Sequence, residues 1–167
     1  MTDELKTERL VLRRVRRADA DDIAALLGNI AVAKWLTRVP WPYGPSDAEE
    51  FITRVEDQRS EHFAITSEAR LIGVISSQDH LGYWLGQPFW GYGFATEAGS
   101  AVINRFFQGQ ADQLHSGYLE GNDASCRVLS KLGFAETHLE HSFVPAQGKE
   151  VVQHKMVLIR EVWEAAA

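Results

Sequence analysis

The stretch "HLGYWLGQPFWGYGFATEA", residues 80–98, constrains the fold more than any other part of the chain. Leu81, Tyr83 and Leu85 alternate with Gly82 and Trp84 in strand fashion until Pro88 stops the ladder. Beyond Gly93 the pattern changes to that of a helix. Ala98, Val102 and Phe106 recur every four residues, and Ala95, Ala101 and Ile103 widen the apolar face. Gly91 and Gly93 therefore occupy the junction of a strand, a glycine loop and a helix. Without a Cβ they allow positive φ or a close approach to the main chain. The first N–H groups of a helix lack internal partners and carry partial positive charge, so such a junction serves as an anion cradle or as a plain turn. This stretch alone does not choose between them.

The rest of the chain sets the frame. Its 167 residues suffice for one domain, expected to span 1–167, with a core that needs no staples. A single cysteine, Cys126, excludes an internal disulfide, and with neither a signal-like start nor an apolar run near 18 residues, a soluble cytoplasmic protein is expected. The formal charge of -6 argues against nucleic acid as a partner. Residues 8–16 read as a strand with Leu10 and Leu12 on one face, and residues 20–37 and 46–60 as helices, separated by "TRVPWPYGPS". A hairpin at 61–67 and 70–77 turns through Glu68 and Ala69, followed by the strand at 79–86. After the glycine-loop helix come a strand at 112–120, a helix at 122–132 and strands at 134–144 and 150–160. The expected class is α/β (α+β): a mixed, mostly antiparallel sheet of about seven strands with helices on both faces.

"NDASCRVLSKLGF", residues 122–134, has ordinary helix grammar: Asn122 as N-cap, Val128, Leu129 and Leu132 as the buried stripe, and Gly133 just past the end. Paired with the glycine loop, and with "TERLVLR", "PWPYGPSDAEEFI" and "HKMVLIREVW" elsewhere, it closely resembles the Gcn5-related N-acetyltransferase family, in its RimJ/RimL-like branch. The resemblance implies acetyl-CoA as acyl donor, no metal, and a primary amine as acceptor, with direct transfer in a ternary complex of a monomer or homodimer. It implies that Trp90, Gly93 and Ala95 match the fixed positions of the pyrophosphate pattern Q/RxxGxG/A, Trp90 being the branch's variant. The cofactor would then lie along Tyr83, Trp84 and Leu85, over the loop Trp90, Gly91, Tyr92, Gly93, Phe94, Ala95 and Thr96, and against Asn122 and Ser125.

Acetyl transfer requires a neutral amine, a stabilised oxyanion and a proton for the departing thiolate. A lysine amine of pKa about 10.4 costs roughly 4.6 kcal/mol to deprotonate at pH 7, an α-amino group only about 1. By the resemblance Ser125 is the first candidate acid, and Tyr118, late in its strand, the second. Each has a structural alternative, Ser125 in helix capping and Tyr118 in packing. His80 stands where the branch commonly has Glu, which leaves either His80 as a base of well-suited intrinsic pKa or no dedicated base at all; Asp79 and Glu120 are further options. Trp41 and Tyr43 line the acceptor cleft or form a packed lid. His138 and His141, three apart on a strand, face opposite sides and make no metal site. Two rivals differ in class. A dinucleotide-binding unit fits poorly, because Thr96 stands where Gly or Ala is required. A non-catalytic CoA-binding regulator shares the same motifs.

Overall fold

The computed structural model describes residues 3–167. Strands β1 (Leu5–Lys6) and β2 (Val11–Arg14) precede helices α1 (Ala20–Leu27), α2 (Ile30–Ala33) and α3 (Pro45–Gln58). Then follow β3 (His62–Ser67), β4 (Arg70–Ser76), β5 (Gly82–Leu85), α4 (Phe94–Phe106), β6 (Gln113–Leu119), α5 (Asp123–Lys131), β7 (Ala135–Val144), β8 (Lys149–Ile159) and α6 (Arg160–Ala166).

The helix expected over 20–37 is broken: the chain leaves α1 at Gly28, and Asn29 starts α2 by accepting a hydrogen bond from the Ala31 N–H at 3.0 Å. Side-chain capping competes with continuation, so a single apolar periodicity covers two helices. Helix α3 begins with Pro at N1, and Asp47 reaches back to the Gly44 N–H at 2.8 Å. The β3–β4 hairpin turns through Glu68 and Ala69 as expected, at φ 51° and 63°. The terminal helix α6 lies beyond what the pattern of the last strand indicated.

The α+β class is as expected, and the sheet is more divided than one seven-stranded layer. Five strands run in the order β1-β2-β3-β4-β5 and three in the order β6-β8-β7, with every ladder antiparallel. One face of the larger sheet packs Leu12, Phe63, Ile65 and Ile75 against Ala98, Val102 and Ile103 of α4 and Leu129 of α5. The other packs Ala64 and Val74 against Ile23 of α1 and Ile52 of α3. Helices therefore cover both faces, and an antiparallel five-strand frame removes the parallel doubly wound sheet that dinucleotide binding needs.

Gly73 of β4 sets how closely β5 approaches. A Cβ there would collide with the Trp84 carbonyl oxygen and lie 2.9 Å from Leu85 Cδ2. Gly73→Ala is therefore expected to cost about 1–3 kcal/mol of stability, measurable by urea denaturation, because the overpacked strand must shift.

Candidate active site

The two sheets meet at one point and then separate. Leu81 donates its N–H to the His115 carbonyl at 2.8 Å, and its own carbonyl accepts from Ser116 Oγ at 2.7 Å. The buried serine hydroxyl takes the place of the next ladder bond, so β5 and β6 part beyond it. Peptide groups alternate along a strand. Gly86 donates to Ile72 on the β4 side, whereas the Leu85 carbonyl accepts the Trp90 indole N–H at 2.8 Å on the other. That alternation turns the N–H and C=O of Tyr83 into the gap, where no strand among the described residues meets them.

Trp90 thus ties the glycine loop to the end of β5. Gly91 and Gly93 take φ of +82° and +81°, and a Cβ on Gly91 would meet nothing within 4 Å. Gly93 caps α4 without a side-chain bond, and the first helical bond is donated by Glu97. The N–H groups of Phe94, Ala95 and Thr96 consequently have no partner within the helix. Ala95 is buried in the core, which explains a small residue there, and Tyr92 is exposed. An open loop with two left-handed glycines at the start of a 13-residue helix fits a phosphate ligand.

On the other arm, Asn122 caps α5 by accepting from the Ser125 N–H at 3.2 Å. The Ser125 hydroxyl is 3.0 Å from the Tyr83 hydroxyl, so a hydrogen bond runs from β5 to α5 beside the gap. Burial raises the Tyr83 pKa, with the Ser125 bond opposing it, and the phenol stays protonated at neutral pH. Tyr83 was expected only as a cofactor contact; its partnership with Ser125 joins residues 42 apart and has no local signal. Trp84, in contrast, turns its ring to the second core cluster and its backbone to Val74 of β4, away from the gap.

His80 sits at the mouth, its Nε2 3.3 Å from where a Gly82 Cβ would be. Burial lowers its pKa, and the charges of Arg38 and Lys155 add to the effect, so it is neutral at pH 7. Asp79 and Glu120 have side chains 76% and 65% exposed, and their pairs with Arg38 and His154 are long, at 3.9 and 3.8 Å. Tyr118 stacks on His154 at 4.7 Å, and Cys126 beside it, followed by burial, pushes its pKa up to about 12. Tyr43 is buried with α1 and α3 in the second core cluster, so it is a packing residue and not a lining one. Trp41 is only partly covered. Trp35 instead approaches the β6–α5 loop, 3.7 Å from a Cβ on Gly121, and Gln147 binds the Lys34 carbonyl at 2.7 Å. His138 and His141 occupy opposite faces of β7, and no metal-binding cluster exists among the described residues.

Comparison with known proteins identifies the fold and the family. Residues 9–135 match the acetyltransferase (GNAT) domain family. An uncharacterized N-acetyltransferase, p20, of Bacillus licheniformis is 25% identical over 95% of this chain and 97% of its own. A GNAT-family acetyltransferase from Bacillus anthracis shares the fold at TM-score 0.80 and 18% identity, covering 95% of this chain and 99% of that one. Mycobacterium smegmatis RimJ, solved in complex with CoA-disulfide, does so at TM-score 0.76 and 21% identity, covering 91% and 82%. Among the described residues, no helix is long and apolar enough to cross a membrane. The parted strands, the glycine loop and this family match lead to one conclusion: the chain belongs to the Gcn5-related N-acetyltransferases and is an acetyl-CoA-dependent N-acetyltransferase.

Proposed function

We propose that this enzyme acetylates a primary amine of modest basicity, an α-amino group of a protein N-terminus or a small-molecule amine, in a ternary complex. The thioester supplies the acetyl group. The N–H groups at the start of α4 hold the pyrophosphate, the Tyr83 peptide group holds the pantetheine arm along β5, and Asn122 adds a contact from α5. Ser125 gives its proton to the departing sulfur, and the Tyr83 hydroxyl keeps it oriented. The observation that carries the reading is the Tyr83–Ser125 bond beside a gap that ends at the glycine loop.

The acceptor class follows from the bases at hand. His80 is neutral at pH 7, and the carboxylates of Asp79 and Glu120 are largely solvated. Removing roughly 1 kcal/mol of protonation from an α-amino group is within reach of such a site, whereas about 4.6 for lysine calls for a stronger base. A screen of N-terminal peptides, amino acids, polyamines and aminoglycosides, followed by thiol release and mass spectrometry, tests this. Turnover of lysine side chains in preference to α-amino groups would overturn it.

Cofactor recognition is tested by melting. At 100 times its dissociation constant, CoA is expected to add about 2.7 kcal/mol, raising the melting temperature by roughly 5–10 °C. NAD is expected to add nothing, and equal stabilisation by NAD would contradict the loop assignment.

A further inference from the structure

The glycine loop is held from a part of the chain more than eighty residues away. Between β1 and β2, Thr7 and Leu10 close a tight turn, Thr7 N–H to the Leu10 carbonyl at 3.0 Å and Leu10 N–H to Thr7 Oγ1 at 3.0 Å. The turn projects Arg9 onto the first turn of α4. Glu97 there accepts from the Thr7 hydroxyl at 2.6 Å and the Arg9 N–H at 2.8 Å with one oxygen. Its other oxygen takes Arg9 Nε and Nη2, both at 2.7 Å. The remaining nitrogen, Nη1, donates to the Tyr92 carbonyl at 2.8 Å, between the two glycines. The guanidinium also lies 4.5 Å from the centre of the Phe94 ring. All three guanidinium nitrogens are thus committed within one loop and one helical turn.

Electrostatics gives the arrangement a purpose. Burial opposes ionisation of Glu97, but the hydrogen bonds from Thr7 and Arg9 outweigh it and hold its carboxyl below the usual range. It is therefore charged, one turn from where a dianionic pyrophosphate would arrive, and an uncompensated carboxylate there would repel the ligand. A planar fork neutralises the carboxylate and grips the loop carbonyl together, which a lysine point charge does not do.

We propose that Arg9 is the positioning residue of the phosphate loop, neutralising Glu97 and holding the Tyr92 carbonyl so that Gly91 and Gly93 keep their ligand-receiving conformation. The proposal rests on the assignment of that loop to the pyrophosphate of acetyl-CoA.

The test measures CoA affinity by calorimetry for the intact chain and for Arg9→Ala and Arg9→Lys, alongside the amide resonances of glycine-labelled protein. Arg9→Ala is expected to weaken CoA on the order of tenfold or more, as loss of charged hydrogen bonds does. Arg9→Lys keeps the charge but not the fork, and a several-fold loss is expected to remain. In the ligand-free variants the resonances of Gly91 and Gly93 should move while that of Gly148, in a distant turn, stays. If Arg9→Ala proves too unstable to assay, Arg9→Lys carries the test. Wild-type affinity in a folded Arg9→Ala, or in Arg9→Lys, would overturn the proposal. Failure of the unaltered protein to bind CoA would instead overturn the loop assignment.

Discussion

Ser125→Ala is expected to lower kcat by about 10² to 10⁴ while leaving the KM for acetyl-CoA nearly unchanged, because losing a positioned general acid removes an interaction made only as the thiolate leaves. The geometry sharpens the expectation. The Ser125 backbone N–H is bound by Asn122 as the cap of α5, and its hydroxyl by Tyr83, so the hydroxyl is oriented before any substrate binds. Tyr83→Phe keeps the ring and loses the hydroxyl, and its effect on kcat should be smaller than that of Ser125→Ala and in the same direction. Asn122→Ala should show the opposite split, weakening acetyl-CoA binding more than turnover, since its contact exists in ground and transition states alike. Tyr118→Phe should be near wild type, because it keeps the ring that stacks on His154. Steady-state kinetics on the best amine of the acceptor screen checks all four. Near-normal kcat in Ser125→Ala together with a large loss in Tyr118→Phe would transfer the acid role to the tyrosine.

Gly93→Val is expected to abolish measurable CoA affinity and leave the fold largely intact. At φ +81° a β-branched residue is strained by about 1–3 kcal/mol, and relief requires the loop to abandon the conformation that aims the first N–H groups of α4 outward. The new side chain would also press on Arg9 Nη2, 3.5 Å from the position of its Cβ. Nothing else in the core lies within 4 Å, which is why the damage should stay local. Circular dichroism and calorimetry with CoA decide the matter. A variant that is folded and binds CoA normally would make Gly93 a plain turn residue, and so would one that simply fails to fold.

Features governed by near neighbours in the chain were legible without the fold. The apolar periods of α4 and α5, the Asn122 cap, the Glu68–Ala69 turn and the positive-φ glycines all depend on contacts within a few residues, and each lies where its local pattern puts it. The family resemblance rested on the same local motifs. What tertiary structure alone decided involves partners far apart. The gap exists because Ser116 ends the contact between β5 and β6, 35 residues from the Leu81 carbonyl that it binds. Tyr83 meets Ser125 across 42 residues, and Arg9 reaches Glu97 across 88. Tyr43 and Trp84 carry the same aromatic surface as the residues of the loop, and only the packing of α1 and α3 on the second face of the sheet buries Tyr43 and partly covers Trp84. Local energetics fixes φ, caps and periodicity residue by residue, whereas the direction of a long polar or aromatic side chain is set by whichever surface the folded chain brings opposite it.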